Sequence, residues 1–183
     1  MELARNSHAS PVRYSTSAKL MHWFVAGAVI VLLALGPVMK RLVPEGSLRD
    51  NLYNFHEALG ALVLIVMVVR LARRLAFGVP VPDPSMPAIE QRASLWAQYL
   101  LYVLIIVTTV LGWAGTNAYG DPVSVFGLFD FPTILGKDQP LSDRIIVWHL
   151  ICGILIGVIV ALHVAGALYH WLVKDDRVLQ RMT

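Results

Sequence analysis

The stretch Ile145–Val173, IIVWHLICGILIGVIVALHVAGALYHWLV, runs its whole length without an Asp, Glu, Lys or Arg. A hydrocarbon core is crossed by about 20 apolar residues in a helix, so this segment spans a membrane and projects from one face. Only a helix satisfies its backbone in lipid at such lengths. Working outward, three more runs pass the same test: about 20–38, 52–70 and 95–114. The pattern predicts an all-α integral membrane four-helix bundle, one domain over 1–183. Apolar residues make up 57% of the chain, above the roughly 45–50% of soluble chains. The formal charge of +3 sits in clusters between spans and is not a nucleic-acid signature. The first run is too long for a signal peptide and lacks a small-residue cleavage site.

Lys and Arg set the orientation. The N-terminal tail, the 70–92 connection and the C-terminal tail carry Arg5, Arg13, Lys19, Arg70, Arg73, Arg74, Arg92, Lys174, Arg177 and Arg181. The other two connections carry Lys40, Arg41, Arg49, Lys137 and Arg144. Ten against five predicts both termini in the cytoplasm, with Lys40–Arg41 dissenting. Gly36, Pro37 and that basic pair are expected to close the first helix. Pro80, Pro82, Pro84 and Pro87 predict an extended linker. The connection 117–143, with Gly120, Pro122, Phe126, Phe129, Phe131 and Pro132, is expected to fold down onto the membrane interface.

Cys152 is the single cysteine. It excludes an internal disulfide, a Cys-x-x-Cys pair, an iron–sulfur site and thioether-linked haem. The histidines carry the chemistry instead. Of six, four lie in spans, where an ionisable residue defaults to a functional reading. His56 and His149 lie about one helical turn in from the outer side. His22 lies near the inner side. His163 follows His149 by 14 residues, about 21 Å along a helix and within about 40° of four full turns, so both share one face. The fourth helix thus offers one imidazole at each level, and two other helices each answer one.

Two histidines at equal depth on facing helices suit the axial positions of one haem. This pairs His22 with His163 (inner) and His56 with His149 (outer), leaving both irons six-coordinate and fit to pass electrons. A single ion cannot bridge levels about 21 Å apart. Gly60, Gly153 and Gly166 fall on the faces of three of these histidines, where a flat ring needs room, although close helix packing also uses glycine. A lone intramembrane histidine often just bonds a neighbouring carbonyl; four at two matched depths are harder to explain so. His8 is expected in a solvated tail. His170 shares the face of His163 and is its rival, but falls beyond the core as an interfacial anchor.

Leu20-Met21-His22-Trp23, the run from His56 to Val68-Val69-Arg70-Leu71, and Trp148-His149 with His163 and His170 resemble the bacterial cytochrome b561 family of the inner membrane. Gly120-x-Pro122, Phe126-Gly127-Leu128 and Lys174-Asp175-Asp176 extend the resemblance over nearly the whole chain. It implies two haem b with the same pairing, and electron exchange with ubiquinone. Some members oxidise superoxide, which would make the chain a superoxide:ubiquinone oxidoreductase.

An anion such as superoxide is drawn by positive charge at the outer surface. Lys137 and Arg144 are the candidates, although seven acidic residues outnumber the five basic ones on that side. Haem propionates need cationic partners: Arg70 and Lys174 inside, Arg49 or Arg144 outside. The same residues also serve as snorkelling anchors. Two other readings stand beside the free-standing oxidoreductase. One is a haem-carrying anchor for a partner subunit of a larger dehydrogenase or hydrogenase; the other is a haem-free protein with structural histidines.

Overall fold

A computed structural model of the chain describes residues 13–80, 86–175 and 178–183; His8 and the central part of the proline linker lie outside them. The described residues form four long helices, α1 (Thr16–Arg41), α2 (Ser47–Phe77), α3 (Ala88–Tyr119) and α4 (Gln139–Leu172), then a short 3-10 turn at Leu179–Arg181. All four are long and apolar enough to cross a membrane.

The first three helices overrun at both ends the apolar runs that revealed them, and α4 does so at its start. At its start, α1 is capped by Ser15, whose side chain accepts from the Ala18 N–H. It does not close at Pro37 but continues to Arg41. Proline removes one backbone hydrogen bond, a loss that membrane helices tolerate when neighbours compensate. The α3 helix opens after Pro87 with Glu90 in its first turn, so the proline linker ends there. Asp138 caps α4 by accepting from the Leu141 N–H at 3.0 Å.

The helices are unevenly packed. Backbones approach closely between α1 and α2, α2 and α3, and α3 and α4, but not between α4 and either α1 or α2 among the described residues. The α3–α4 seam is tight because Gly115 has no side chain: a Cβ there would stand 2.7 Å from Ile146 Cδ1. Ser142 Oγ donates to the Gly115 carbonyl across the seam at 2.9 Å. In the middle of the bundle, Val25, Ala28, Val29, Leu59, Val63, Met67, Ile105 and Ile156 form one buried layer. Ile156 lies seven residues from both His149 and His163, so this layer separates the two histidine levels.

At the loop face, residues 120–138 fold back as a cap. Ser124 and Asp130 bridge antiparallel. The Phe131 N–H donates to Val123 O, and the Val125 N–H to Phe129 O, each at 2.8 Å. The turn is made by Phe126 and Gly127 at φ 53 and 73, the mirror-image geometry that two-residue hairpins favour. Val123 and Val125 pack on Ala61 with Trp113 and Phe131, and Trp113 Nε1 donates to Pro132 O at 3.0 Å. At the opposite face, residues 178–183 cross the start of α1. Trp23 Nε1 donates to Met182 O at 2.8 Å, and the Lys19 ammonium to the Thr183 carbonyl.

Candidate haem sites

Helical periodicity puts His149 and His163 on the face of α4 turned toward the gap, and the two other helices bring one imidazole to each. The rings of His56 and His149 have centroids 6.2 Å apart; those of His22 and His163 are 6.5 Å apart. Such separations are too long for imidazoles stacked in contact. They match two imidazoles on opposite sides of one metal, where a bond of about 2.0–2.1 Å plus roughly 1.1 Å to each ring centre gives about 6.3 Å.

The donor set decides which metal group fits. No cluster of three or more His, Cys, Asp or Glu exists among the described residues, so a bare ion would lack the four ligands it usually takes. Two imidazoles suffice only for a metal that brings its own equatorial ligands, as haem iron does. The cradle fits too: a Cβ added at Gly60, Gly153, Gly157 or Gly166 would meet nothing within 4 Å outside its own helix. His56 Nδ1 is buried without a hydrogen-bond partner. His22 and His163 would hold one haem and His56 and His149 the other, and haem supplies one-electron chemistry at its iron.

Around the loop-side pair, His149 Nδ1 lies 2.8 Å from the Thr108 carbonyl oxygen. A carbonyl only accepts, so Nδ1 carries the proton and Nε2 is left for metal. Gly112 makes this possible, since a Cβ there would stand 3.2 Å from His149 Cε1. Sequence reasoning missed Gly112 and Thr108, because nothing in a charge-free span tells which face of α3 meets α4. Around the other pair, Arg70 Nη2 lies 3.4 Å from His22 Nδ1. Two guanidinium groups lie over the Tyr102 ring, Arg70 at 5.6 Å and Arg74 at 5.4 Å from its centre. Burial raises the Tyr14 hydroxyl above its ordinary range, against the pull of Arg74 and Arg181.

The remaining candidates are spread out. Lys174 lies in an ion pair with Glu90 of α3, its Nζ 2.5 and 2.7 Å from the two carboxylate oxygens. His170 is buried against the start of α3, its Nε2 3.6 Å from the same carboxylate. Arg49 pairs with Glu45 at 3.4 Å. The exposed Arg144 donates from Nε to Pro140 O at 3.1 Å. Lys137 lies with its stem over Gly120, where a Cβ would be 3.1 Å from its Cδ.

Four apolar helices with imidazoles facing across a gap define a membrane cytochrome. The chain belongs to the prokaryotic cytochrome b561 family, which matches residues 13–183; this makes it a redox protein of electron transfer and implies haem b. It is 29% identical to cytochrome b561 homolog 2 of Escherichia coli K12, over 94% of this chain and 92% of that one. It is 27% identical to the probable superoxide oxidase CybB of Yersinia pestis, over 93% and 96%. Cytochrome b562 of Cereibacter sphaeroides is also 27% identical, over 88% and 89%.

Proposed function

We propose that the protein is a dihaem b cytochrome of the bacterial inner membrane. It moves electrons between a one-electron donor at its loop face, superoxide, and ubiquinone. The observation that carries this reading is the pair of imidazole separations, 6.2 and 6.5 Å, at two levels of one bundle. The likeness to a probable superoxide oxidase supports superoxide as the donor. Both termini are cytoplasmic by the Lys and Arg bias, which turns the loop face outward. Lys137 and Arg144 at that face then attract an anion, and Arg70, 3.4 Å from His22 Nδ1, offers its charge to the inner haem.

The test has three arms on the purified protein. A pyridine haemochrome assay should return two haems per chain. Stopped-flow mixing with superoxide should reduce them, and ubiquinone should reoxidise them. Reduction by quinol but not by superoxide would remove the superoxide assignment and leave the carrier role. A reporter fused after Thr183 should be active only in the cytoplasm.

A further inference from the structure

The two histidine pairs differ in what lies against the Nδ1 of one member. At the loop-side pair, the His149 Nδ1–H donates to the Thr108 carbonyl at 2.8 Å. An imidazole with such an acceptor is a more basic metal ligand and favours the oxidised metal. At the terminus-side pair, the His22 Nδ1 faces the guanidinium of Arg70 at 3.4 Å. A guanidinium has donors and no acceptor, so it gives that nitrogen no acceptor of the kind Thr108 gives His149. Its fixed charge opposes the extra positive charge of an oxidised metal, and Arg74, over the same Tyr102 ring as Arg70, adds a second cation nearby. Hydrogen bonding around the site is one of the protein's levers on reduction potential, and here it acts in the same sense as local charge.

We propose that these contacts hold the His22–His163 site at the higher reduction potential and the His56–His149 site at the lower. The inference rests on the pairing proposed above and adds a direction to it. A donor at the loop face loses one electron, which runs downhill across the bundle to an acceptor that gains one. No proton has to accompany it. Thr108 and Gly112 act as positioning residues for His149, and Arg70 acts on the site through His22.

A redox titration of the purified holoprotein, followed by visible spectra and low-temperature EPR, tests this. Two one-electron waves are expected, with at least a tenfold preference of the electron for the terminus side, equivalent to about 59 mV. Gly112→Ala pushes against His149 Cε1 and should raise the lower wave alone. Arg70→Gln should lower the upper wave alone, and Arg70→Lys should restore it. His56→Ala should delete the lower wave, which assigns the two. If it deletes the upper wave, the order is reversed and the proposal falls; if both waves survive it, the pairing itself falls. A single wave in the unmodified protein, or an Arg70→Gln variant that leaves the upper wave in place, overturns the proposal as well. Should Gly112→Ala fail to assemble, the Arg70 variants decide alone.

Discussion

The α3–α4 seam and the gap between α4 and the α1–α2 pair are built from the same kinds of residue and end up opposite in character. In the seam, the missing side chain of Gly115 is what lets Ile146 approach, and a Cβ would stand 2.7 Å away. In the gap, Gly60, Gly153 and Gly166 leave space that nothing from a neighbouring helix fills within 4 Å. Glycine brings helices together in one place and keeps room between them in the other. Lipid gives no hydrophobic drive for helices to associate, so a gap persists where other contacts fix the spacing. Here the α3–α4 seam, the loop cap and the Ile156 layer do so.

Breaking that contrast gives the largest expected effects. Replacing either member of a histidine pair by Ala should halve the haem content in the pyridine haemochrome assay, and both members of a pair should erase the same spectral component. Loss of one component by His56→Ala and of the other by His149→Ala would show that the gap is not filled pair by pair. Next in size, Gly115→Val should weaken the bundle by about 1–3 kcal/mol, the usual cost of overpacking, read as a lower melting temperature whether or not haem is bound. Gly153→Leu should do the reverse, leaving the haem-free fold as stable as before while lowering haem occupancy. Equal loss of stability in both variants would mean that the two regions are not different in kind.

Smaller effects sharpen the comparison at its edges. His170→Ala should leave both haems in place, since that ring is engaged with Glu90. Glu90→Gln, which breaks the part-exposed Lys174 pair, should cost about 1 kcal/mol or less without changing the spectrum. Last, Lys137→Gln with Arg144→Gln should slow reduction by superoxide and flatten its salt dependence, the spectrum again unchanged.

Much of this contrast could be read from residue order alone. An apolar run without charge is a physical statement about lipid, so the four spans were legible. Helical pitch alone places His149 and His163 on one side of α4, and their rings face His56 and His22 in the fold. What stayed hidden depends on which helix faces meet. The seat of His149 on Thr108 and Gly112 needs the rotation of α3 about its axis, which an evenly apolar span does not encode. The contact of His170 with Glu90 was hidden too, because it needs the start of α3 beside the end of α4. Of the residues expected to close the first helix, the basic pair marks its end at Arg41, while Pro37 lies inside it.

The layer of Val25, Ala28, Val29, Leu59, Val63, Met67, Ile105 and Ile156 has a consequence for energy conversion. Its buried members are hydrocarbon and one thioether, which can neither solvate an ion nor relay a proton. The layer is therefore a low-dielectric slab between the two histidine levels. An electron passing from one histidine level to the other moves charge across most of the bilayer without compensation. At about 2.3 kcal/mol per elementary charge per 100 mV for a full crossing, each turnover of the proposed reaction would do electrical work on the membrane, or draw it.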